Sequence, residues 1–493
     1  MTRVNVLKET AKRWVSAGCL LIACFGCSIE TDGTFSVSDS VEPETVTTTS
    51  DSGAVNLLSG EQNGSPGGVV SNNVSDQVKP SPPVPAPRER TLANRLGTVF
   101  SEPSLRWKLA PEFKEIELPA LTNPYAIWGA TGRDDNGNLY LGVSCAGEWK
   151  DSAALCRITS GSDQAVSLGD SVSQMRRLGI ANESTMQMKI HSKPVQADDG
   201  YMYFASMDEY GETENGSRLP FYGSNLWRVS AETLSVGNDS STDWEHLLAL
   251  PEGIVATGCT GRYVYALGYY QHSLYQFDTK TFGVRKIQVG SAGGHISRNF
   301  LVDLHEHVYV PRVVLRGVGD YVVQLIELDT ELKEVASHPL SDYGATSDFD
   351  SHGIVGFAFL RSGDCIFTTA KGALYRLTPN LDSPSNLERL GWFHPDGESY
   401  PAVLSSPDGE SVVCGLASRE GAYDWVVYDL EQWRGEVVDL SPSAQQLLQR
   451  GGTLAYGSNT RDDNGDAVVV GWYKGDSVYG HLPYAARVTW PEL

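Results

Sequence analysis

From residue 113 onward, apolar and polar positions alternate with a period of two in short runs, and Gly, Asp or Asn separate the runs. This pattern predicts half-buried β-strands joined by tight turns. The runs recur as a unit. A turn followed by a strand is found at Asp135–Tyr140, Asp199–Tyr203, Gly261–Tyr265, Glu306–Tyr309, Gly363–Phe367, Asp408–Val412 and Asp463–Val468. A second type of strand, apolar-aromatic-Arg-apolar-Thr/Asp in outline, interleaves with it. Its copies are Cys156–Thr159, Leu226–Ser230, Leu274–Asp278, Leu325–Asp329, Leu374–Thr378, Trp425–Asp429 and Ala486–Thr489. Asp-Gly and Asn-Gly tolerate positive φ, so they read as hairpin turns.

Four antiparallel strands per unit, repeated radially, make an all-β propeller. Outer strands such as Val284–Ile287 and Gly435–Val438 complete the units, but the seventh ends near Thr489 without one. An unclaimed alternating strand, Glu115-Ile116-Glu117-Leu118, precedes the first unit. The expectation is a seven-bladed β-propeller over 113–493, closed by this N-terminal strand so that no edge stays open. Six or eight blades is the alternative, since the fourth unit lacks the turn glycine.

These blades resemble those of the streptogramin lyase and gluconolactonase-like superfamily, whose units carry a similar Asp-Gly-x-Leu-Tyr/Trp turn and a Leu-Tyr-Arg strand. The resemblance covers roughly residues 113–490 and implies a seven-bladed ring. A lyase or lactonase acting on an acidic sugar or cyclic ester is one activity it would allow. Repeats of this kind are structural, so they carry no function with them.

The N-terminus holds a different signal. Arg3, Lys8, Lys12 and Arg13 precede an apolar run, Trp14 to Ala23, that is too short to span a bilayer. The run ends Leu21-Ile22-Ala23-Cys24, which resembles the bacterial lipobox. The reading is a lipoprotein signal peptide over 1–23, with Cys24 lipidated and the chain anchored in the membrane of the cell envelope. Phe25 follows, not the Asp that marks inner-membrane retention, which points to the outer membrane, facing the periplasm or the surface. Residues 24–112 read as a disordered tether rich in Ser, Thr, Gly and Pro. It includes Lys79-Pro80-Ser81-Pro82-Pro83-Val84-Pro85-Ala86-Pro87, a polyproline II spacer.

Composition narrows the partners. The 493 residues carry a net charge of −23, and cleavage before Cys24 leaves 34 basic against 60 acidic residues, or −26. An acidic exported surface excludes nucleic acid as the main partner. A small molecule, glycan or protein remains as the ligand class, with a monomer as the expected state.

Candidate chemistry clusters at one end of the ring. The innermost strands of a propeller converge on the central channel, and His191, His295 and His352 fall at three such starts. Arg298 and Lys193 lie beside them, suited to a carboxylate or sulfate. Three imidazoles with an open position would suit a divalent metal. The competing reading is polar lining that hydrogen-bonds blade backbones. The insertion Ala205–Asn225, with Asp208, Glu209, Glu212 and Glu214, would cover this mouth. Cys145 and Cys156 flank a short loop and are expected to form a disulfide in an exported protein. Arg133-Asp134-Asp135-Asn136-Gly137 recurs as Arg461-Asp462-Asp463-Asn464-Gly465 and reads as paired hairpin turns, not as a calcium loop. No Gly-x-Ser-x-Gly or phosphate loop occurs, so whether the protein is an enzyme stays open, with binding at the mouth as the leading reading.

The anchor is directly testable. Cys24→Ser should move the protein from the membrane fraction to the soluble fraction; a variant that still sediments with membranes would place the anchor elsewhere.

Overall fold

The computed structural model describes residues 90–146, 151–213, 215–231, 244–290, 297–317, 320–344, 353–450, 454–456 and 460–492. Cys24, the tether up to residue 89, His295 and His352 lie outside them. The described strands form seven antiparallel sheets in chain order, which makes a seven-bladed β-propeller. Blade three shows the plan. Ile254–Gly258 lines the channel, followed outward by Tyr263–Gly268, Ser273–Asp278 and Val284–Gln288. In blade six the innermost position is held by isolated bridges, Ser405 to Cys414 and Tyr400 to Ser418.

Radial packing needs glycine where inner strands approach. A Cβ on Gly132 would sit 1.9 Å from the Pro194 carbonyl oxygen of the next blade. The fourth blade forms without the turn glycine because Glu306 takes the positive φ (63°) itself. Its carboxylate then accepts the Tyr263 backbone N–H at 2.7 Å, tying blade four to blade three.

The repeated Asp, Tyr and Arg positions are internal ties. The Tyr140, Tyr203 and Tyr309 hydroxyls donate to Asp134, Asp199 and Asp303 at 3.0, 2.6 and 2.8 Å. Arg228, fully buried, bridges Asp199 and Glu245, and Arg376 pairs with Asp364. A buried cation is tolerated when its charge and donors are both matched. Blade four inverts the scheme. Buried Glu327 takes the arginine's place and accepts from His307 (3.0 Å), His338 (3.4 Å) and Ser385. The recurring five-residue motif does build hairpin turns: Asp134 Oδ1 and Asp462 Oδ1 each accept two backbone N–H groups of their own turn.

The ring closes as expected, with a shifted strand. Glu112–Glu115 pairs with His481–Thr489, Phe113 opposite Val488, outside the last blade. Phe113 packs edge-on against Trp425 at 6.0 Å. Ile116 already belongs to the core of blade one, and Glu117 bridges Gln164 there. The segment therefore straddles the seam between the last and first blades. Alternation alone did not show where it crosses.

Two expectations are corrected. Ordered structure begins well before residue 113. A short helix, Leu92–Arg95, and a 3-10 turn, Leu105–Lys108, precede the closing strand. Residues 90–101 lie across the channel end opposite His191 and touch every blade. Arg90 forks onto Asp135 (2.9 and 3.0 Å) and donates to the Gln196 carbonyl at 3.0 Å. Arg95 donates to the carbonyls of Thr260 (2.9 Å) and Leu304 (2.8 Å). Arg361 and Arg461 donate to the Ser101 and Val99 carbonyls, and the Ser101 N–H donates to Pro407 O. The composition is that of a linker, yet its arginines find acceptors that the blade ends leave open. The second correction concerns Cys145 and Cys156, which are free thiols. Leu141 is the residue opposite Cys156, so Cys145 lies four positions further along its strand. That is about 13 Å at roughly 3.3 Å per residue, beyond the reach of a disulfide.

Phe113 carries the seam. Phe113→Ala should cost about 3–5 kcal/mol, read as a loss of denaturation midpoint, whereas Leu105→Ala at an exposed site should cost under about 0.5 kcal/mol.

Candidate functional site

Where the inner strands begin, six blades contribute to one concave mouth. Trp128, His191, Lys193, Arg298, Asn299 and Tyr400 are among its walls, and it encloses about 360 Å³ including the part open to solvent. Local sequence sets these positions. Pro194 holds Lys193 in an extended backbone, and the Gly132 backbone leaves room for the Pro194 carbonyl. Asn299 donates to the carbonyls of Ile354 (3.2 Å) and Val355 (2.7 Å), which seats the start of blade four, and with it Arg298, against blade five.

Both nitrogens of His191 are engaged. Nδ1–H donates to the Val255 carbonyl at 2.8 Å, and Arg298 Nη1–H donates to Nε2 at 3.0 Å. These partners assign the neutral Nδ1–H tautomer. Burial first, then the charges of Arg298 and Lys189, holds the imidazole pKa well below its usual value. The ring has no lone pair left for a metal or for a substrate proton. In this arrangement His191 orients Arg298, while His295 and His352, the other two members of the expected metal set, lie outside the described residues. Among the described residues no group of three or more His, Cys, Asp and Glu has the placement to hold a metal ion.

Lys193 stands at the waist of the channel, its ammonium 4.5 Å from the Phe357 ring centroid. The side chain is half-buried, and desolvation lowers its pKa to about 7. Lys193 and Arg298 thus share the mouth, as the sequence implied.

The blade-two insertion runs from Asp208 to Gly223, between the strands Tyr201–Met207 and Ser224–Ser230, and it reaches over blades one and seven. Glu209 pairs with Lys189, which lies 5.1 Å over the Trp128 ring. The Tyr210 hydroxyl meets those of Tyr479 at 2.8 Å and the Asp151 carboxylate at 3.2 Å. Burial raises the carboxyl of Asp208 to about 7 and that of Glu212 to about 8. The insertion therefore brings less negative charge to the rim than its composition suggests. Glu214 lies outside the described residues.

Trp128 and Tyr400 were not among the sequence candidates. Both stand at innermost-strand starts, so the radial argument that selected the histidines would have found them had it been applied to aromatic residues.

No protein-family model matches the chain, and no curated protein matches it. The structure is similar to the β-propeller domain of Cps50 (Swd1) from Myceliophteria thermophila. That likeness has a TM-score of 0.46 at 8% identity and covers 78% of this chain and 100% of that one. It is also similar to YCF48 from Cyanidioschyzon merolae, at TM-score 0.42 and 10% identity, over 76% of this chain and 98% of that one. A protein of unknown function from Dyadobacter fermentans gives 0.41 at 10% identity, over 77% and 99%. At such identities these likenesses concern the fold and lend the mouth no function.

The assignment of His191 has a spectroscopic consequence. Its ring should keep the Nδ1–H tautomer and titrate well below the usual imidazole range, read from the ring nitrogen chemical shifts. An imidazole that protonates near 6.5 would overturn the Arg298 contact.

Proposed function

We propose that this chain is a lipid-anchored binding module of the cell envelope, and that its channel mouth takes an anionic group of a small molecule, glycan or protein. One observation carries the reading. The Arg298 guanidinium is oriented by His191, whose pKa is held well below its usual value, and shares a concave site with Lys193, in a chain whose overall charge is −23. A guanidinium held in a recess of an acidic protein attracts an anion locally while the remaining surface repels it, and an anion bound there favours the protonated form of Lys193. Arg298 offers planar donors for a carboxylate or phosphate. Trp128 and Tyr400 supply apolar faces beside them, as ligand sites commonly do. A lyase or lactonase would need a base at the mouth, and the engaged nitrogens of His191 give that reading no support.

The test is isothermal titration with acetate and with inorganic phosphate. A charge-assisted contact is worth about 1.5–3 kcal/mol, so Arg298→Gln should weaken binding by roughly 10- to 100-fold. Equal binding by the parent and the variant, or no binding by either, would remove the proposal.

A further inference from the structure

Beyond Lys193 lies a second chamber, enclosing about 600 Å³ including its open parts. Phe300, Phe357, Phe359 and Val302 line it, and Lys193 belongs to both this chamber and the mouth. Its threonines turn their hydroxyls on protein partners. Thr131 bonds Thr460 at 2.8 Å, and Thr257 donates to the Lys193 carbonyl. The polar lining is partnered as well: Arg133 donates to Asn94 Oδ1 and pairs with Asp463, Gln196 donates to the Gly200 carbonyl, and Arg90 holds Asp135, so the phenylalanines and Val302 are its apolar wall. The far end is covered by residues 90–101, of which Arg90, Asn94, Arg95, Leu96 and Gly97 reach the chamber. Leu96 is buried among Leu301, Tyr309 and Phe359, while Arg90 and Arg95 fasten the segment to blades one to four. These residues border the chamber at that end.

We propose that this chamber is a binding site for the apolar end of the same ligand whose anionic group sits at Arg298, so that the ligand class is a carboxylate bearing a short apolar tail. The inference rests on the anion reading of the mouth and adds what lies beneath it. The head stays with Arg298 and Lys193. The tail passes Lys193 and lies among the phenylalanines, where each buried CH₂ adds favourable transfer free energy. Leu96 and Gly97 set the depth, because the stopper ends the space. A ligand that is polar along its whole length would desolvate groups against ring carbon with no partners in return, and is selected against.

The test is isothermal titration of the whole exported chain with acetate, butanoate, hexanoate and octanoate. In the parent protein, affinity should rise roughly three- to fourfold per added CH₂ and then level off once the tail meets the stopper. Phe357→Trp narrows the chamber and should flatten the chain-length gain measured from the variant's own acetate affinity. Arg90→Ala with Arg95→Ala should let the longest chain go on gaining; if that double variant does not fold, the Phe357→Trp series decides alone. Acetate and hexanoate binding equally well, both weakened by Arg298→Gln, would overturn the tail site and leave the mouth standing. Carboxylates of every length failing to bind would overturn the mouth, and the chamber with it. Chain-length gain persisting undiminished in Phe357→Trp would place the tail elsewhere.

Discussion

A β-sheet leaves two edges, and a ring of sheets ends in a seam that something must close. Here that closure is a single pairing, Glu112–Glu115 against His481–Thr489. It joins strands more than 350 residues apart in sequence. Everything at the axis depends on it. Only in a closed ring do innermost strands from different blades converge closely enough for Arg298 of blade four to meet His191 of blade two. The apolar cores of neighbouring blades are likewise completed across the seam, where Val470, Ile116 and Leu141 share one cluster. Contacts this distant in sequence form late and at a high loop-closure cost.

The fold was legible because its signals are local. Asp-Gly and Asn-Gly turns and period-two runs state hairpins wherever they occur, and counting them gave seven blades. The one doubtful unit was real. Glu306 adopts the conformation that glycine adopts elsewhere, and its carboxylate bonds to a neighbouring blade. The arginine and aspartate positions that defined the repeat turned out to be its internal ionic ties, which is why they recur without marking a site. Residues that look like a motif in a repeat protein are often such ties.

The site was legible in position and misread in chemistry. Radial equivalence placed His191, Lys193 and Arg298 correctly at one mouth. What the sequence could not convey was direction, because a histidine's role depends on what each nitrogen faces. His191 faces a carbonyl and a guanidinium, so in this arrangement it orients Arg298. Cys145 and Cys156 failed for a related reason. Spacing along a hairpin does not set register, and four positions of offset separate them. Residues 90–112 were hidden by composition. Their contacts are to backbone carbonyls at blade ends, acceptors that no side-chain pattern announces.

Those same contacts determine how the ring would carry a mechanical load. The chain ahead of Arg90 joins the ring at its axle, not at its rim. Tension along that chain would reach the arginines first and be divided in parallel among bonds to several blades. It would reach the closing strand only after those bonds had yielded. An attachment made directly at Glu112 would instead peel the seam one bond at a time and reopen the ring. A chain that enters at the hub keeps the strand that holds the ring's shape off the line of pull.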